Sequence, residues 1–180
     1  MGEKMKANSK ITWSKKDILW MTILSLLYIL CFPINPLVLL GVIDVESPPE
    51  LYIIGWAIWT FGMVLVMAPI VMFPRRGGVP KGKSFVKTTQ LVDTGIYGVI
   101  RHPQYTGGIY AVFIPTLLWY PHWLFAVLGF FGALLTYLSI IEEDKRLIEK
   151  FGDEYTAYMR RVPRMNFILG IFRLLKRRNE

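Results

Sequence analysis

The chain has 180 residues, 53% of them hydrophobic, and a formal net charge of +8. So apolar a composition at this length excludes an ordinary soluble domain, and the one cysteine, Cys31, excludes an internal disulfide and a cysteine-based metal cluster. Neither histidine, His102 or His122, has a His or Glu four residues on, so a helical zinc site is not expected.

In chain order, Lys4, Lys6, Lys10, Lys15 and Lys16 precede a first apolar run, Ile18 to Ile43. Its apolar core is too long for a cleaved signal peptide and no small-residue cleavage site follows, so it is read as a retained membrane segment. Pro33 and Pro36 remove helix donors and predict a break, leaving one helix or two. The acidic stretch "DVESPPE" (Asp44 to Glu50) leads into a second run, Leu51 to Phe73, that carries no charge. A third, Ile109 to Ile141, contains no Lys, Arg, Asp or Glu and predicts a helical hairpin turning at Tyr120-Pro121-His122. Runs of about 20 uncharged residues match the bilayer core. The fold expected is all-α: a multi-pass transmembrane bundle of four or five membrane helices, one domain over residues 1–180. Lys and Arg cluster before Asp17, between Arg75 and Arg101, and after Lys145, so these regions are expected in the cytoplasm and the segments at Asp44 and Trp119 outside.

Three regions are not simple spans. Arg75 to Gly107 is an insertion of about 33 residues, a length at which loops are usually functional or disordered; its second half, "TTQLVDTGIYGVI", regains apolar residues and is expected to be ordered. After Ile141, Leu147, Phe151, Tyr155, Tyr158 and Val162 form a helical stripe, and Gly152-Asp153 reads as one helix ending and another beginning. Asn166 to Arg178, "NFILGIFRLLKRR", mixes apolar and basic residues in the manner of an amphipathic helix on an anionic membrane face.

Gly95 to Tyr105 and Glu142 to Arg164 leave the predicted hairpin at its two open ends, on the same side, and can meet. Tyrosines and arginines there fit a membrane-interface belt. Paired carboxylates, Glu142 and Glu143, at the end of an apolar span fit that reading poorly and mark a functional site. The sequence "LVDTGIYGVIRHPQYTGG", some 35 apolar residues, and then "EEDKRLIEKFGDEYTAYMRRVPR" resemble the isoprenylcysteine carboxyl methyltransferase family and its phospholipid methyltransferase relatives, integral membrane enzymes that use S-adenosylmethionine. The resemblance covers residues 89–164, which it implies are the catalytic core.

Carried over by position, the resemblance implies a cofactor site in which Gln90, Leu91 and Val92 line the adenosine region. Tyr97, His102, Pro103, Gln104 and Tyr105 hold the cofactor from the first motif, and Glu143 closes the site from the second. The chemistry agrees: the cofactor's carboxylate suits Arg101 or His102, its ammonium and ribose hydroxyls suit Glu143, and its adenine needs apolar cover. Pro103 can begin a helix whose N-terminal donors favour an anion. For the acceptor, Arg161 or Arg164 would orient a carboxylate, whereas Glu142 would be the base for an amine or headgroup. Ser139 stands where the family's eukaryotic carboxyl methyltransferases carry an arginine, so a lipidated-cysteine carboxylate and a lipid headgroup both remain open as acceptors. The partners expected are the bilayer and a lipophilic or lipidated acceptor, with neither nucleic acid nor metal. A sterol-reductase-like enzyme using NADPH and a non-enzymatic membrane scaffold are the alternative classes.

Overall fold

A computed structural model describes residues 15–32, 34–84 and 87–178, and among these every regular element is helical. α1 (Lys15–Leu30) is followed by a break and a single turn, α2 (Pro36–Leu39). Asn35 stabilises the break: its side chain accepts a hydrogen bond from Leu37 N (3.0 Å) and donates to Leu30 O (2.5 Å). The first apolar run therefore divides near Pro36 as expected, into one long helix and one turn. Pro33, Lys4, Lys6 and Lys10 lie outside the described residues.

α3 (Pro49–Arg76) starts on a proline at its first position, with Glu50 in its first turn and Arg75 and Arg76 in its last, the charge order that the helix dipole favours. A loop and a 3₁₀ turn (Gly95–Gly98) lead into a continuous helix over residues 103–119. It consists of α4 (Pro103–Gly108), a π-helical stretch (Ile109–Phe113) and α5 (Ile114–Trp119). Pro115 lacks the N–H that an α-helix would direct at Ala111, Ile114 N donates to Ile109 O instead, and Thr116 Oγ1 donates to Val112 O at 2.7 Å. The chain turns at Tyr120–His122, where His122 caps α6 (Trp123–Phe151) by accepting from Leu124 N. Gly152, at φ +59°, separates α6 from α7 (Asp153–Arg161), and α8 (Phe167–Arg178) closes the described chain. The hairpin and the break at Gly152 fall where the sequence predicts them.

α3 runs antiparallel to the 103–119 helix. Trp119 Nε1 donates to Tyr52 O (3.1 Å) near one end, and Gly62 faces Gly107 and Ala111 in the middle. The 3₁₀ turn meets Met72 and Phe73 at the other end, with the Phe73 and Tyr97 rings 5.3 Å apart. α1 packs on α6 through Tyr28, whose ring lies 4.8 Å from Phe113 and whose hydroxyl is 3.4 Å from Thr136 Oγ1. α3 and α6 are long and apolar enough to cross a membrane. They carry large apolar side chains such as Ile53, Val64 and Phe130 outward, as a lipid-facing surface does and a water-facing one rarely does.

Candidate active site

The site forms where the loop after α3, the start of α4 and the region from the end of α6 to residue 164 converge. The loop is tied back to α3: Thr89 N and Gln90 N both donate to Gly77 O, and Arg76 Nη1 donates to Thr94 Oγ1 (2.7 Å). Downstream, Arg101 N donates to Pro163 O (3.0 Å) and His102 N to Arg164 O (3.2 Å), a short backbone pairing that joins the two sequence motifs directly. Pro103 then begins α4, as expected. Tyr158 OH, donating to Tyr97 O at 2.6 Å, clamps α7 against the 3₁₀ turn.

At the centre lies Asp144, fully enclosed and holding four side chains. Its Oδ1 accepts from Tyr155 OH (2.5 Å), His102 Nε2 (2.7 Å) and Arg101 Nη1 (3.1 Å), and its Oδ2 accepts from Arg164 Nε (2.9 Å). One carboxylate thus faces two guanidiniums and an imidazole, which leaves the cluster with a surplus of positive charge. Arg101 Nε, also buried, has no hydrogen-bond partner among the described residues, and such an orphan donor is costly unless something meets it. Burial and then the bond to Asp144 push the Tyr155 phenol well above its usual pKa. Burial alone raises Tyr97, and burial chiefly raises Tyr158. For Arg164, burial is the largest single influence and pulls the guanidinium down, but the hydrogen bonds to Asp144 and Tyr137 and the charge of Asp144 together outweigh it, and the net shift is upward.

Two adjoining cavities open beside this cluster. The larger, about 350 Å³, is lined by Tyr97, Arg101, His102, Pro103, Gln104, Tyr105 and Glu143, together with Phe73, Thr88, Arg146, Leu147 and Lys150. The smaller, about 60 Å³, is lined by Gln90, Leu91, Val92, Tyr97 and Arg101 and shares Phe73, Thr88 and Leu147 with the first. The structure therefore brings together the ten positions expected to hold a cofactor, nine from the resemblance and Arg101 from its chemistry. Glu143 reaches the larger cavity with 30% of its side chain exposed, its Oε2 3.3 Å from Arg146 Nη2.

The three positions expected to act on the acceptor separate. Glu142 points outward, 64% exposed, and pairs with Lys145 (2.9 Å). Two i,i+3 pairs, Glu142–Lys145 and Glu143–Arg146, run side by side along this turn of α6. Arg161 pairs with Asp93 (3.1 Å) outside both cavity linings. Arg164 joins the central cluster: besides Asp144, its Nη1 donates to Tyr137 OH (2.8 Å), and its guanidinium sits 5.3 Å over the Tyr137 ring. Asp144 itself is absent from the residues singled out by sequence, which attend to the two preceding glutamates. The signal was present: Ile140, Asp144, Leu147 and Phe151 are spaced by 4, 3 and 4, the inward face of α6.

The sequence profile of the phospholipid methyltransferase family matches residues 51–154, more than half of the chain, and the protein belongs to that family. Over 67 residues the chain is 36% identical to methanethiol S-methyltransferase 1 of Bradyrhizobium diazoefficiens, a match that covers 37% of this chain and 22% of that protein. The chain thus spans about a fifth of the curated relative it matches. No solved structure matches it.

Proposed function

We propose that this protein is a membrane methyltransferase that takes its methyl group from S-adenosylmethionine and passes it to a membrane-associated acceptor. The observation that carries the reading is Arg101, buried between two cavities with Nε unpartnered among the described residues, in a cluster whose positive charge exceeds its negative. A carboxylate-bearing ligand meets both needs. The remaining surroundings fit the other parts of the cofactor: Leu91, Val92, Leu147 and Phe151 offer apolar cover for a base, and Glu143 offers an acceptor for an ammonium or ribose hydroxyl. The larger cavity lies within the size range of small-molecule sites.

When bound, S-adenosylmethionine supplies an electrophilic methyl on a sulfonium. The protein's part is to hold and align. Arg101 and Glu143 fix the two charged ends of the ligand, Tyr97, Tyr105 and Phe73 exclude water, and rigid alignment of nucleophile and methyl lowers the barrier without a covalent enzyme intermediate. Asp144 keeps Arg101, His102 and Arg164 in register. Arg164, at the edge of the cluster facing Tyr137, orients an anionic acceptor; Glu142 and Arg161, turned away, take no direct part. The family name points to a phospholipid headgroup and the relative's name to a small thiol. A lipid headgroup suits the lipid-facing surroundings better: Arg164 would hold its phosphate while its amine, having given its proton to solvent, takes the methyl; the carboxylate of a lipidated cysteine, already an anion, is the second acceptor.

In this reading the chain is one integral unit with residues 89–164 as its core. α1, α3, the 103–119 helix and α6 cross the bilayer, since α2 is too short to do so. The basic loop after α3 and the site face the cytoplasm. The test is to titrate detergent-purified protein with S-adenosylhomocysteine and with NADPH. Saturable binding of the first alone is expected; binding of NADPH alone would make it a reductase, and binding of neither would leave a scaffold. Membranes incubated with cofactor labelled in the methyl then identify the acceptor by the fraction that becomes labelled. Reporter groups at Lys83 and Lys145 should be modified from the same side of the membrane.

A further inference from the structure

α8 does not lie across the basic end of the bundle. Its first residue, Phe167, meets Phe61 edge-on with ring centroids 5.6 Å apart, and Phe61 in turn meets Tyr110 at 5.7 Å. Phe61 lies midway between Pro49 and Phe73, about 18 Å from either at 1.5 Å per residue. At the other end of α8, Arg177 Nη2 donates to Gly98 O (3.1 Å), in the 3₁₀ turn that packs on Phe73. Ten residues of helix, about 15 Å, therefore carry α8 from the middle of α3 to its basic end.

The orientation of its faces is the reverse of that of a helix on a soluble protein. The side holding Gly170 and Arg177 is turned inward: a Cβ on Gly170 would collide with Val99 O, and Arg173 Nη1 reaches Arg160 O (3.5 Å). The opposite side presents Ile168 (83% exposed), Ile171, Phe172 (65%) and Leu175 outward as one stripe. The N-terminus is capped within the chain, Asn166 Oδ1 accepting from Leu169 N (2.9 Å).

We propose that α8 is a half-membrane helix, inserted beside α3 in the leaflet on the basic side, with Phe167 near the bilayer midplane and Arg177 at the headgroups. The inference rests on the reading of α3 as a span with its Arg75 end at that surface. The partner is lipid. Acyl chains cover the Ile168–Leu175 stripe, and the cations confined to the last turns, Arg173, Lys176 and Arg177, lie at the level of the anionic headgroups. Insertion also secures the connector before it, whose residues Pro163 and Arg164 pair with Arg101 and His102.

Single cysteines at Ile168, Leu175 and, as a span control, Val64 on α3 would be given a fluorophore, with the enclosed Cys31 left in place and the unsubstituted chain labelled as background. The protein is reconstituted in phosphatidylcholine vesicles with a minority of phosphatidylglycerol, and depth is read from quenching by lipids brominated at different chain positions. The label at Ile168 should lie about 10 Å deeper than that at Leu175, seven helical residues away, and close to the depth of Val64. Equal, shallow depths would overturn the proposal in favour of a surface-lying helix. Labels on α8 that brominated lipid fails to quench, with Val64 deep, would overturn it in favour of burial against protein. A shallow Val64 would remove the membrane reading of α3 and the proposal with it.

Discussion

His102 Nε2 and Asp144 Oδ1 lie 2.7 Å apart across 42 residues of sequence, and the same oxygen also takes the Arg101 guanidinium and the Tyr155 hydroxyl. A carboxylate shared in this way cannot be lost quietly, because two buried or half-buried arginines would remain without a counter-charge. Asp144→Asn is expected to cost about 3 to 5 kcal/mol of stability, the usual penalty for breaking a buried ion pair on one side, and to abolish S-adenosylhomocysteine binding. Asp144→Glu, which keeps the charge, should recover part of the stability. Thermal melting in detergent together with ligand titration measures both, and an unchanged melting temperature for Asp144→Asn would contradict the central role of this residue.

The adjacent glutamates should behave differently. Glu143 reaches the larger cavity and Glu142 does not. Glu143→Gln is expected to weaken S-adenosylhomocysteine binding by roughly 1.5 to 3 kcal/mol, the range of a hydrogen bond to a charged group, or about ten- to a hundredfold in affinity. Glu142→Gln should leave that affinity within about twofold. Its Lys145 pair is exposed, and such pairs contribute little. Calorimetric titration of both variants decides the assignment, and equal affinities would refute it.

A methyl group at Gly62 should open the crossing between α3 and the 103–119 helix. A Cβ there would overlap Ala111 N and come within 2.7 Å of Tyr110 C, both backbone atoms that cannot step aside. Gly62→Ala is expected to destabilise by about 1 to 3 kcal/mol, as overpacking does. Gly129→Ala, where a Cβ would meet Phe113 Cβ at an ordinary 3.5 Å, should be tolerated. Paired melting curves test the contrast.

Stability should fall on the alkaline side. Tyr97, Tyr155 and Tyr158 are buried with their pKa values raised above the usual 10, so above pH 10 the unfolded chain gives up phenolic protons that the folded chain retains. The stabilisation is complete below pH 10 and declines as pH rises, by about 1.4 kcal/mol per pH unit for each tyrosine. Melting curves between pH 8 and about 11 should show this decline, and Tyr158→Phe should flatten it.

Much of the architecture was legible in the sequence because it follows from local chemistry. Apolar runs bounded by charge set where the long helices lie, Pro36 opens the short turn after the first of them, Tyr120-Pro121-His122 turns the hairpin, and Gly152 ends α6. The two motifs and their order pointed to a candidate site, and residues they contain line one pair of cavities. What remained hidden depends on contacts between distant segments. Neighbouring residues on a helix point about 100° apart, so which of Glu142, Glu143 and Asp144 turns inward depends on the rotation of α6 against the 103–119 helix, and packing of Gly132 on Phe113 sets that rotation. The pairing of residues 101–102 with 163–164 and the course of α8 along α3 are likewise tertiary facts: a one-dimensional pattern defines the faces of a helix, but only its neighbours decide what those faces meet.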